Sequence, residues 1–150
     1  MTKEQIMRVF IADDSAIIRE RLAQMLAELP GAVDCIGQAS DASEAAKAIR
    51  RLKPDAVILD IHMPRGSGID VLREIKRTMP STVVLMLTNH PHDQYRRTCT
   101  AIGADFFLDK STEFERIPQI LQRLIQNSPT RRNPGLLLAP QAPSLWTYAA

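Results

Sequence analysis

At 150 residues, with 45% hydrophobic and 24% charged side chains, the chain has the size and balance of one globular domain with a tail. Its formal charge of +2 resides in Arg131 and Arg132: residues 1–126 keep 17 of the 19 basic side chains and all 17 acidic ones. That neutrality argues against a broad nucleic-acid footprint, and no apolar run reaches membrane-spanning length. The N-terminus MTKEQIMRVF lacks the apolar stretch of a signal peptide, so a cytoplasmic location is expected. Cys35 and Cys99 sit in apolar surroundings without metal-like spacing and read as buried, reduced thiols.

Apolar runs and helical patterns alternate five times. Arg8 to Ala12 is a short apolar run of the kind covered on both faces. A helical stripe of Ile18, Leu22, Met25, Leu26 and Leu29 follows, with Ser15 placed to cap it and Pro30-Gly31 to end it. Val33 to Gly37 reads as the second strand. Asp41 and Glu44 predict a reciprocal capping box for a helix with Ala45, Ile49 and Leu52 inward. Ala56 to Leu59 is the third strand, and Val71, Leu72, Ile75 and Met79 mark the third helix. Thr82 to Leu87 is the fourth strand and the most buried-looking segment. The helix from His92 to Ile102 has a thin apolar face of Tyr95, Thr98, Cys99 and Ile102, and Gly103 closes it. Phe106 to Leu108 is the fifth strand. Thr112 and Glu115 predict a second capping box, with Phe114, Ile117, Leu121 and Leu124 inward. This alternation predicts an α/β fold, a parallel sheet with helices on both faces.

In such a sheet, ligands sit beyond the carboxyl ends of the strands. Strand one ends in Asp13-Asp14, strand three in Asp60 and strand four in Thr88, while strand five leads to Lys110. Three carboxylates converging on one edge repel unless a cation joins them. Oxygen donors alone point to Mg²⁺, which takes one or two carboxylates plus phosphate oxygens. No Gly-rich phosphate loop is present, so a nucleotide is not held by the usual means. The set suits phosphoryl transfer to a carboxylate, where charge neutralisation and in-line positioning matter most. Asp60, alone at the central strand end, would be the acceptor. Asp13 and Asp14 would hold the metal, Lys110 would pair with a phosphoryl oxygen, and Thr88 could hydrogen-bond another.

These motifs resemble the receiver domain of two-component response regulators: Asp13-Asp14, DIHMPRGSG from Asp60 to Gly68, Leu87-Thr88, and GADFFLDK from Gly103 to Lys110. The resemblance covers about residues 7 to 126. It implies a doubly wound five-stranded parallel sheet of order 2-1-3-4-5, a flavodoxin-like (βα)5 fold, for which a chemotaxis receiver is the general example. It further implies that Asp60 takes its phosphoryl group from a histidine kinase or phosphotransfer protein. Mg²⁺ would be bound by Asp14, Asp60 and the His62 backbone carbonyl, with Asp13 acting through water. Phe107 matches the family's switch aromatic, which turns inward when Thr88 moves to the phosphoryl group. Ser111 stands where many receivers have proline. His62 and His90, two residues after Asp60 and Thr88, occupy positions that tune phosphoryl lifetime in the family. No zinc site is expected, since no cysteine or third ligand is suitably spaced, and His92 reads as a surface residue at a helix start.

The resemblance also implies an output face of helix 4, strand 5 and helix 5 that binds a downstream protein; a homodimer is compatible with it. The expected organisation is a stand-alone receiver over 1–127 and a proline-rich tail over 128–150 without an output domain. That tail reads as a linker or a docking segment, with Leu136, Leu137, Leu138, Trp146 and Tyr148 as anchors. A DNA-binding regulator would need an output domain after residue 126, and too few residues remain for a helix-turn-helix. The alternative is the receiver part of a truncated transcriptional regulator. A haloacid-dehalogenase-type phosphatase wants a second acid two residues after its nucleophile, where this chain has His62. The chain is therefore expected to be a switch that slowly dephosphorylates itself, not an enzyme, and not to bind nucleic acid by itself.

Overall fold

Short strands with apolar residues on both faces can only be buried between two layers of helices. The computed structural model has that arrangement and describes residues 6–29 and 31–127. Pro30 and the segment from Ser128 to Ala150, with the docking expected of Leu136 to Leu138, Trp146 and Tyr148, lie outside the described residues. The strands are β1 (Met7–Ala12), β2 (Val33–Ala39), β3 (Ala56–Leu59), β4 (Val83–Thr88) and β5 (Phe106–Asp109). The helices are α1 (Ala16–Ala27), α2 (Ala42–Leu52), α3 (Gly68–Thr78), α4 (Asp93–Ile102) and α5 (Ile117–Gln126). All neighbouring strands are parallel, in the order β2-β1-β3-β4-β5, as the resemblance implies.

Because successive side chains point to opposite faces, each strand feeds two cores. Val9, Ile11, Ala56, Ile58, Val83, Leu85, Leu87, Phe106 and Leu108 pack with Leu22 and Leu26 of α1 and with Ile117, Leu121 and Leu124 of α5. Phe10, Val57, Leu59, Val84, Met86 and Phe107 pack with α2, α3 and Cys99 of α4. Each fully buried Leu, Ile or Phe contributes about 1.5–3 kcal/mol relative to exposure. Burial also pushes the Cys99 thiol up to about 11, and the half-buried Cys35 thiol upward, so neither is a ready thiolate.

Local details depart from expectation at two caps. Ser15 caps α1 as expected, its Oγ accepting from the Ile18 amide at 3.3 Å. Asp41 Oδ1 accepts from the Glu44 amide at 2.7 Å, but Glu44 reaches back to the Ser40 amide at 3.4 Å instead of Asp41. The Thr112–Glu115 box does not form. A 3₁₀ turn over Phe114–Arg116 precedes α5, and Glu113 Oε1 takes the Asp109 amide at 2.9 Å. The amide of Glu113 donates to the Asp109 carbonyl at 2.8 Å, so the chain leaves β5 through a tight turn before the helix can start. α1 ends at Ala27, capped by Glu28, before the Pro30-Gly31 stop. Among the described residues no helix is long and apolar enough to cross a membrane.

Candidate functional site

β1 and β3 are adjacent, with Ala12 opposite Leu59, so the residues just past their ends, Asp13 and Asp60, emerge side by side. The Asp60 amide donates to the Ala12 carbonyl at 2.9 Å, carrying the pairing one residue beyond the strand. Thr88 lies opposite Asp109, and the Lys110 amide donates to the Thr88 carbonyl at 2.9 Å, which brings Lys110 to the same edge. Its Nζ lies 2.6 Å from Asp13 Oδ2 and 3.3 Å from Asp60 Oδ2. Asp13 and Asp60 are buried and Asp14 is exposed, yet one carboxylate oxygen from each falls within 4.8 Å of the others.

Three converging carboxylates with one ammonium leave excess negative charge. Burial, and then the neighbouring Asp13 charge, push the Asp60 carboxyl up to about 6; Lys110 opposes this, and Asp14 adds to it. A divalent cation with a preference for oxygen relieves that excess, so the donor set fits Mg²⁺. Asp14 and Asp60, with Asp13 beside them, are the residues that would hold it.

Thr88 is fully buried and its Oγ accepts from the His90 amide at 2.9 Å, a short turn at the end of β4. Phe107 is buried on the α4 side of the sheet. The Arg96 guanidinium of α4 lies 4.8 Å from its ring centroid and Nη1 donates to its carbonyl at 3.5 Å. His62 is exposed and pairs through its backbone with Ser67, closing the loop after β3. The structure therefore gathers Asp13, Asp14, Asp60 and Lys110 into direct proximity, with Thr88 at the adjoining strand end.

One supporting residue was not foreseen. Arg19 Nη1 donates to the Asp13 carbonyl at 2.6 Å, and the Ser15 amide donates to Asp13 Oδ1 at 2.9 Å. Together they hold the acidic turn from α1. Helical geometry places position 19 over the preceding turn, but an arginine on a helix is too common for that signal to stand out. Gly68, the last residue of the DIHMPRGSG motif, packs against the site: a Cβ built there would lie 1.8 Å from the Asp60 carbonyl oxygen.

A family model described as the response regulator receiver domain matches residues 9–122. An uncharacterized response regulatory protein of Vibrio cholerae is 39% identical over 122 residues, 81% of this chain and 49% of that protein. A protein-glutamate methylesterase/protein-glutamine glutaminase of Alkalilimnicola ehrlichii is 36% identical over 125 residues, 79% of this chain and 32% of that one. The chain thus spans about half or less of the length of these curated relatives. The solved response regulator domain of Thermotoga maritima CheB superposes with a TM-score of 0.71 at 30% identity, covering 81% of this chain and 95% of that one. Family match, strand order and the clustered strand-end carboxylates agree: the chain belongs to the response regulator receiver domain family of two-component systems.

Proposed function

We propose that Asp60 is the phosphoryl acceptor of a Mg²⁺-dependent switch, and that phosphorylation changes the binding of a downstream protein. The observation that carries this reading is the buried Asp60 carboxylate, raised toward neutrality, facing Lys110 and flanked by Asp13 and Asp14. In the proposed step an Asp60 oxygen forms the new O–P bond. The P–N bond of a phosphohistidine on a kinase or phosphotransfer protein breaks, and the imidazole leaves with a proton. Mg²⁺ bound by Asp14, Asp60 and the His62 carbonyl, with Asp13 through water, would supply positive charge to the phosphoryl oxygens. Lys110 neutralises further charge as the bond forms. Thr88 turns its hydroxyl from the His90 amide toward the phosphoryl group, and Phe107 carries that movement to α4, β5 and α5. Residues 1–127 form the working unit in the cytoplasm and 128–150 an appended segment. The chain acts as a switch that dephosphorylates itself slowly. The methylesterase relatives favour a second reading of the output, in which a receiver of this kind governs an attached or separate enzyme.

Incubation with a small phosphodonor and Mg²⁺ should add a single phosphoryl mass to the wild-type chain and none to Asp60→Asn. Equal labelling of Asp60→Asn would remove Asp60 from its role. A separate measurement addresses the switch. With a phosphoryl mimic, hydrogen exchange should change most between residues 88 and 110, because α4 buries only Cys99 completely and is weakly tied to the core. Thr88→Ala should still be labelled yet lose most of that change; an undiminished change would disconnect Thr88 from the switch.

A further inference from the structure

The chain has three histidines, and the fold brings all of them to one place. His62 lies in the loop after β3, while His90 and His92 precede α4. Ring centroids are 4.7 Å apart from His62 to His90 and 6.1 Å from His90 to His92. Tyr95 completes the circuit, 5.8 Å from His92 and 5.4 Å from His62. Four rings from two loops and the first turn of α4 thus close on one another. His62 and Tyr95 also line an open cavity of about 490 Å³ that reaches Asp14. The three imidazoles are exposed, so burial of apolar surface does not explain their convergence.

Imidazole nitrogen is a borderline-soft donor that suits Zn²⁺, Cu²⁺ and Ni²⁺, whereas carboxylates and water suit Mg²⁺. With Zn–N bonds near 2.0–2.1 Å and tetrahedral angles, two imidazoles on one ion have centroids about 5 Å apart. The His62–His90 and His90–His92 separations, 4.7 and 6.1 Å, fall on either side of that value. His90 is the shared member, and its backbone is anchored by the hydrogen bond its amide donates to Thr88 Oγ. The ring nitrogens do not already meet at a point: among the described residues only Asp13, Asp14 and Asp60 bring three such ligand atoms within 4.8 Å. Rotation of the exposed imidazoles would bring their nitrogens together on an ion, with water completing the shell.

We propose that His62, His90 and His92 form a binding site for Zn²⁺, distinct from the carboxylate site and tying the β3–α3 loop to the β4–α4 loop. The proposal uses no carboxylate and shares with the phosphoryl-acceptor reading only His62, whose backbone carbonyl that reading gives to Mg²⁺ and whose ring is used here. Linear spacing concealed it because the ligands come from separate crossovers.

Calorimetric titration of the metal-free full chain with Zn²⁺, in excess Mg²⁺ to occupy the carboxylates, tests it. One Zn²⁺ per chain should bind. His90→Ala should weaken binding by on the order of a hundredfold, and His62→Ala and His92→Ala by on the order of tenfold each. Asp60→Asn should bind as wild type. All three histidines are exposed, so circular dichroism should show the variants folded. Absence of Zn²⁺ binding overturns the site. So does binding that His90→Ala leaves intact or that Asp60→Asn abolishes, which would place the ion on the carboxylates or the thiols.

Discussion

Asp60→Asn should make the protein more stable at pH 8 in the absence of Mg²⁺, by about 1–3 kcal/mol. The Asp60 carboxyl ionises near 6 in the folded chain, raised by burial and by Asp13, against the ordinary carboxylate value near 4 for the unfolded one. Below about pH 4 the group is protonated in both states and costs nothing. As pH rises the unfolded chain loses its proton first, so the folded state loses stability through that window and bears the full cost above about 6. Two pH decades at 1.36 kcal/mol each set an upper bound of about 3 kcal/mol. Asparagine keeps the shape without the charge, and Lys110 keeps its 2.6 Å partner Asp13. The gain should therefore shrink toward zero as the pH of the denaturant titration is lowered from 8 to 4.5. Saturating Mg²⁺ should raise wild-type stability more than that of Asp60→Asn, since only the wild type has the third carboxylate to neutralise. An Asp60→Asn protein less stable than wild type at pH 8 would mean that Lys110 already compensates the burial of Asp60.

Gly68→Ala should damage the same site from the other side, costing about 3 kcal/mol or more and slowing phosphoryl labelling. Gly68 opens α3, and its amide donates to the Ile61 carbonyl at 2.7 Å, folding the loop back on the end of β3. An added Cβ would stand 1.8 Å from the Asp60 carbonyl oxygen and 2.9 Å from the Ile61 Cα. Both neighbours are backbone just past the end of β3, so the strain cannot be relieved by a rotamer change and must displace Asp60 itself. Gly31→Ala is the matched control: φ is +70° there but nothing lies within 4 Å, so backbone strain of about 1 kcal/mol is expected without loss of labelling. Chemical denaturation of both variants, with phosphodonor labelling rates, checks the contrast. A Gly68→Ala protein as stable and as readily labelled as Gly31→Ala would show that the β3–α3 loop can shift freely.

The core was legible because it is written in local periodicity. Ile58 and Val57 alternate between two faces, Leu22 and Leu26 recur at helical spacing, and these patterns hold whichever neighbour covers them. The α5 start was misread because Thr112 and Glu115 have the residue types of a capping box, while the turn from Asp109 to Glu113 claims the backbone first. Cys35, expected buried, is half-exposed because β2 is an edge strand.

By itself the sequence determined the strand and helix alternation, the sheet it implies, and the residues at each strand end, because each depends on a short stretch of chain. Tertiary structure alone decided which of those ends lie together and how closely. The 2.6 Å pairing of Lys110 with Asp13, the displaced acidity of Asp60 and the meeting of His62 with His90 all join segments that are distant in sequence. Parallel crossovers place such segments side by side without leaving any spacing between them for a linear motif to record.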